Sequence, residues 1–190
     1  MSIEVQIGFA SRPKPGESVC GDQTAIIHGA AWILVAVVDG LGHGPKAENA
    51  ARTACEFVRR HAAMELAELL RALDKAITPT RGAAVTLVRL CTTTGLWRHV
   101  AVGNVELSSL RRLQNHPLTV PGIVGARPRK VVETQGQLVT GDVVVLYTDG
   151  ISSRFDLEPH RGLAAQAIAD MLLREWAKDH DDATCVVIKM

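Results

Sequence analysis

Apolar residues in this chain fall into two kinds of run. Short runs bounded by glycine, proline or aspartate read as strands, and longer stretches with apolar residues three and four apart read as helices. The first kind predicts strands at residues 4–9, 23–28, 31–38, 84–91, 96–102, 105–110, 130–135, 143–147 and 184–189. The second predicts helices at 45–64, 65–77 and 162–178. In the first helix Pro45 suits the opening position, and Ala50, Ala54, Phe57, Val58 and His61 share a face. Leu66, Leu69, Leu70, Leu73 and Ile77 do so in the second, and Ala165, Ile168, Ala169, Leu172 and Trp176 in the third. Mainly antiparallel strands with hairpin-length connections, interrupted by two blocks of helix, predict an α+β fold. Two sheets packed face to face with helices outside would bury all of these faces.

One run carries more than fold information. Trp32 to Val38 is apolar throughout, as a strand buried on both faces would be, and it ends in Asp39-Gly40 with Gly42, Gly44 and Pro45 following. A carboxylate at the end of a buried strand needs a cation or a set of hydrogen bonds. The pattern recurs where Val143 to Tyr147 leads into Asp149-Gly150. Asp22 precedes the strand before Asp39, and Asp181 and Asp182 immediately precede the last strand. If these strands pair antiparallel, four or five carboxylates crowd one end of the sandwich. Two unit charges about 4 Å apart at an effective dielectric near 20 repel by about 4 kcal/mol. Either some of the carboxyls stay protonated or divalent cations neutralise them. All-oxygen ligation favours Mg²⁺ or Mn²⁺ over zinc. Two such ions about 3.5–4 Å apart activate a water for attack on phosphorus. A single Asp-Gly after a strand is ordinarily a turn, and Asp181-Asp182 alone reads as a loop or cap. Turns do not account for all five positions at strand boundaries.

Composition narrows the class. At 190 residues, with 47% hydrophobic and 22% charged residues, the chain suits one globular domain, read as residues 1–190. A net charge of +1 gives no reason to expect nucleic acid or membrane as a bulk partner. Three Trp, three Phe and one Tyr leave the core to Val, Ile, Leu and Ala. Cys20, Cys55, Cys91 and Cys185 form no CxxC pair and read as reduced packing residues. The N-terminal residues lack a signal-peptide pattern, and no segment has the roughly 18 apolar residues a membrane span requires. A cytoplasmic protein is the expectation.

The ordered segments ESVCGD, VVDGLGHG, RGAAVTLV, VGN, YTDGISS and DDATCVV resemble the metal-dependent PPM (PP2C-type) serine/threonine phosphatases, and most closely their compact bacterial SpoIIE-like branch. The resemblance runs from about residue 17 to residue 188. It implies an αββα sandwich with a binuclear Mn²⁺ or Mg²⁺ centre between the sheets. By the same resemblance Asp39 bridges both metals, with the Gly40 carbonyl as a further ligand, and Asp149 and Asp181 bind one metal. Asp182 coordinates or orients a metal-bound water, Asp22 is a ligand directly or through water, and Gly82, Gly103 and Asn104 are framework. Two departures stand out. Gly21 occupies the place of a family Glu, and Glu17 that of a phosphate-gripping Arg, so phosphate is held by the metals or by another cation. The chain is also too short for the flap insertion of larger members, which leaves the site open to a folded protein substrate.

Other side chains have two readings. His43, four residues after Asp39, is a general acid, a donor behind the metals, or a turn residue capping the next helix. His180 steers Asp181 or is a solvated loop histidine, and His99 within a strand is structural. Ser152 and Ser153 suit turns, having no base nearby in sequence. Arg127, Arg129 and Lys130 either meet the phosphate or acidic surface of a protein substrate or form a solvated loop. Gly40, Gly42 and Gly44 are not a nucleotide-binding Walker loop, since no GK[ST] follows.

The resemblance therefore implies a phosphoserine/phosphothreonine protein phosphatase acting through a metal-activated water. Its partner would be a phosphorylated stressosome-type scaffold or anti-sigma-pathway protein of bacterial stress signalling. Two other classes remain open: a pseudo-phosphatase that binds phosphoprotein without hydrolysis, and a hydrolase of a small phosphorylated metabolite.

Overall fold

A computed structural model describes residues 4–113, 115–126 and 130–190. The basic stretch expected at Arg127 and Arg129 lies outside the described residues, and Lys130 beside it is exposed. Among the described residues ten strands fall into two sheets. One is ordered β1 (Gln6–Arg12), β10 (Ala183–Lys189), β9 (Val143–Tyr147) and β6 (Glu106–Ser109). The other is ordered β2 (Asp22–His28), β3 (Trp32–Gly40), β4 (Ala83–Cys91) and β5 (Leu96–Val102). Its far edge carries β7 (Thr119–Val120), parallel to β5, and β8 (Glu133–Gln137), antiparallel to it.

The two-sided burial expected of β3 explains the layering. Leu34, Ala36 and Val38 point to one face, where they pack with residues of α1 (Pro45–Arg60) and α2 (Leu66–Ala76). Ile33, Val35 and Val37 point to the other and meet Val144, Leu146, Val186 and Ile188 of the opposing sheet. The smaller sheet turns Val145, Cys185 and Val187 outward onto Ile168, Ala169 and Leu172 of α3 (Ala165–Trp176). The result is the αββα order, with one apolar core at each of its three interfaces. Among the described residues no helix is long and apolar enough to cross a membrane.

Several boundaries differ from expectation for local reasons. The first helix stops at Arg60 rather than running to 64, because the His61 N–H bonds back to the Phe57 and Val58 carbonyls and a turn intervenes. His61 then stacks on Phe57, with ring centroids 4.1 Å apart, and both are only half buried. The third helix is trimmed at both ends, from 162–178 to Ala165–Trp176. The first strand starts at Gln6 and extends to Arg12, where Ser11 pairs with Thr184 through their hydroxyls at 2.7 Å. The strand expected at 130–135 begins only at Glu133, which is opposite Val100 and ion-paired to Arg98 at 2.5 Å. The two-residue β7 and a turn of 3₁₀ helix at Glu158–His160 have no periodic signal.

At the β1 edge of the smaller sheet one residue's backbone groups are capped by a side chain. Gln166 of α3 accepts a hydrogen bond from the Phe9 N–H (3.1 Å) and donates one to the Phe9 carbonyl (2.8 Å). Cys55 and Cys185 are buried and Cys20 and Cys91 half-buried, and all four are free thiols, as the composition suggested.

Candidate active site

The two Asp-Gly strand ends meet at one end of the sandwich. In the β2–β3 hairpin Asp22 lies opposite Asp39 in register, which puts both carboxylates at one edge of the larger sheet. In the smaller sheet β10 runs antiparallel to β9, so Asp181 and Asp182 before β10 stand beside Asp149 after β9. Close backbone contact fixes both turns. A side chain on Gly40 would collide with the Ala47 main chain of α1, and one on Gly150 with the Asp182 carbonyl. Further hydrogen bonds run from the Gly40 N–H to the Gly21 carbonyl (3.1 Å) and from the Leu41 N–H to the Gly82 carbonyl (3.0 Å).

A cavity of about 310 Å³ opens at this edge. Asp39, Asp149 and Asp181 line it, together with His43, His180 and Asn104. Asp22 and Asp182 lie behind, only 2% and 3% exposed. The Thr148 hydroxyl donates to Asp22 at 2.7 Å and accepts the Thr184 N–H at 3.0 Å. One Asp182 oxygen accepts the Lys14 N–H at 2.9 Å, while its Oδ2 is buried with no hydrogen-bond partner.

The carboxylates feel one another. Burial, then the charges of Asp22, Asp149, Asp181 and Asp182, push the Asp39 carboxyl up to about 8. Asp22 is pushed up to about 7 by burial first, with the Thr148 hydrogen bond opposing and the Asp182 charge adding. Such a set is stabilised by a divalent cation, and the donors are all oxygen, which suits Mg²⁺ or Mn²⁺. The orphaned Asp182 Oδ2 provides a buried oxygen for the same purpose. As placed, no three or more Asp, Glu, His or Cys side chains among the described residues converge on a single metal position. Main-chain carbonyls and water are therefore needed to complete any coordination sphere.

The sequence expectations sort cleanly by position. Asp39, Asp149 and Asp181 face the cavity, and Asp22 and Asp182 support it from within. Asn104, expected to be framework, lines the cavity and donates to Asp149 Oδ2 at 2.6 Å. His43 reaches the cavity with its Nδ1 held 2.6 Å from Glu17. His180 is exposed at the rim, His99 is buried within β5 with its ring nitrogen held down to about 4 by burial, and Ser152 accepts the Arg154 N–H in a turn. The Glu17 and Asn104 partnerships join residues far apart in the chain, so only the VGN motif offered a signal for either.

Comparisons with known proteins agree with this fold. The family model for Stage II sporulation protein E (SpoIIE) matches residues 30–190. Phosphoserine phosphatase RsbX of Bacillus subtilis (strain 168) is 24% identical over 178 residues, covering 92% of this chain and 89% of that protein. A crystal structure of RsbX in complex with magnesium superposes at a TM-score of 0.85 with 21% identity, covering 99% of this chain and 98% of that one. A chain from a structure of the bacterial stressosome, described as a modular system adapted to control secondary messenger signalling, gives 0.91 with 27% identity, covering 98% of this chain and all of the other. The PP2C phosphatase domain of SpoIIE from Bacillus subtilis gives 0.80 with 22% identity, covering all of this chain and 64% of that one.

Proposed function

The chain belongs to the Stage II sporulation protein E (SpoIIE) family, and from that premise we propose that it is a divalent-metal-dependent protein phosphatase. It removes phosphate from phosphoserine or phosphothreonine on a bacterial stress-signalling protein of the stressosome or anti-sigma pathway. The chain acts as a single PP2C-type domain with no flap over the mouth. The observation that carries this reading is the gathering of five carboxylates from both sheets around one open cavity, with Asp39 and Asp22 pushed up by burial among them.

In this reading Asp39, Asp149 and Asp181, with the Gly40 carbonyl, hold two Mn²⁺ or Mg²⁺ ions, and Asp22 and Asp182 hold them directly or through water. Bound there, the ions supply an activated water and offset charge on the phosphoryl oxygens. Thr148 fixes Asp22, and Asn104 fixes Asp149. Glu17 engages His43 Nδ1, which leaves Nε2 to give a proton to the serine oxygen as its bond to phosphorus breaks.

Phosphate release from a phosphoserine peptide tests the assignment, measured with Mn²⁺, with EDTA, and with Asp39→Asn. Turnover by the wild type with metal alone is expected, and activity that survives EDTA or Asp39→Asn would sink the mechanism. Glu17 in place of a phosphate-gripping arginine supports a second reading, a module that binds phosphoprotein without hydrolysis. Metal-dependent peptide binding with no phosphate release would favour it.

A further inference from the structure

Beside the carboxylate cavity lies a second cleft of about 480 Å³, lined by Pro45, Lys46, Asn49, Pro79, Thr80 and Arg81. Among the described residues two cations and no carboxylate line it. Among the described residues neither Lys46 nor Arg81 has an ion pair or a side-chain hydrogen bond, whereas Arg52 pairs with Glu48 and Glu56, Arg161 with Glu158 and Arg174 with Glu175. Two acids near the start of α1 are committed elsewhere. Glu48 pairs with Arg52, and Glu17 pairs with His43.

The cleft adjoins the cavity through one glycine. Gly42 lines the cavity with φ of +88°, and a side chain there would stand 3.0 Å from an Arg81 guanidinium nitrogen. Arg81 is also held in place. The Thr80 hydroxyl donates to the Ile77 carbonyl at 2.7 Å and accepts the Gly82 N–H at 3.0 Å. The Gly82 carbonyl accepts the Leu41 N–H at 3.0 Å, which ties this loop to the turn after Asp39. The backbone that carries Arg81 is therefore fixed, and its guanidinium stands next to the reaction cavity but outside its lining.

The geometry points to a substrate-selecting subsite: Arg81 and Lys46 bind acidic residues flanking the phosphoserine of the substrate. This rests on the phosphatase reading above. A cavity rimmed by carboxylates repels an acidic segment, and the two cations offset that repulsion on the side where the substrate chain leaves the mouth. Arg81 suits the task because its planar fork takes a carboxylate in two parallel hydrogen bonds.

The test uses two fluorescent phosphoserine peptides that share a phosphosite, one with Asp and Glu flanks and the other with Asn and Gln in their place. Binding by anisotropy and phosphate release are both measured with Mg²⁺ on the full chain, for wild type, Arg81→Gln, Arg81→Lys, Lys46→Gln and Arg174→Gln. Wild type is expected to favour the acidic peptide about tenfold, in Kd and in KM but not in kcat, as charge-assisted pairing implies. Arg81→Gln brings that ratio close to one, Lys46→Gln lowers it part of the way, Arg81→Lys keeps part of it, and Arg174→Gln leaves it unchanged. Equal binding of the two peptides by wild type, or an unchanged ratio in Arg81→Gln, would overturn the subsite. Because the ratio is also read in binding, a protein that releases no phosphate still decides the matter, and that failure counts against the phosphatase reading alone.

Discussion

Thr148, directly after β9 in one sheet, donates a 2.7 Å hydrogen bond to Asp22, the first residue of β2 in the other. It crosses the interface between the sheets where the carboxylates gather, and it is buried at both ends. The same hydroxyl accepts the Thr184 N–H, so three elements share one oxygen.

Thr148→Val removes that oxygen while keeping the shape. The Asp22 carboxylate loses a donor and the Thr184 N–H its acceptor, so a loss of about 1–3 kcal/mol in urea unfolding is expected. Thr148→Ser retains the hydroxyl and most of the stability.

Acidity is expected to stabilise the protein in EDTA. Asp39 and Asp22 titrate near 8 and 7 when folded, against an ordinary carboxyl value of 3.8. Between those limits the folded state binds more protons than the unfolded one, so stability falls as pH rises. The contribution is fully present below about pH 4 and is lost as pH climbs through 7 and 8. Melting temperatures in EDTA at pH 5.5 and 8.5 check this, and Asp39→Asn is expected to flatten the difference. Excess Mg²⁺ or Mn²⁺ at pH 8.5 restores the lost stability.

His43→Gln separates proton donation from the rest of the chemistry. A serine alkoxide is a poor leaving group, so kcat on a phosphoserine peptide is expected to fall on the order of 10²–10⁴-fold. p-Nitrophenyl phosphate, whose leaving group needs no proton, is expected to lose far less. Glu17→Gln shifts both substrates in the same direction and by less, since it frees the ring without removing it. Equal losses on the two substrates would count against a proton-donating role.

Gly150→Ala drives a methyl group into the Asp182 carbonyl and places it 3.0 Å from the Ala183 Cα. The segment carrying Asp181 and Asp182 must shift, at about 1–3 kcal/mol for overpacking. Calorimetric Mg²⁺ titration is expected to show weaker binding than wild type, even at temperatures where the variant is fully folded.

Much of the architecture was legible because its signals are local. The seven apolar residues before Asp39, bounded by glycines, read as a strand covered on both sides, and the leucines of α2 mark one buried face. The hairpin that sets Asp22 opposite Asp39 follows from two adjacent strands with a short turn. Less legible was whatever depends on distant partners. The Asn104–Asp149 and Glu17–His43 contacts join segments 45 and 26 residues apart. Nothing in the local pattern around Arg81 distinguishes it from other surface arginines, because its position beside Gly42 depends on how the loop after α2 folds back. Strand β8, polar and half exposed, has no apolar alternation and is placed by pairing with β5 and by the Glu133–Arg98 ion pair.

The Gln166 amide on Phe9 bears on how the molecule meets others of its kind. An outermost strand offers its free N–H and C=O groups to any extended chain, its own copies included, and this invites runaway polymerisation. Here one amide occupies both groups of Phe9, so a strand docking at that point must first break two hydrogen bonds. The molecule is thus guarded at this point of its flank against recruitment by backbone pairing. Its encounters are directed to surfaces that side chains can distinguish.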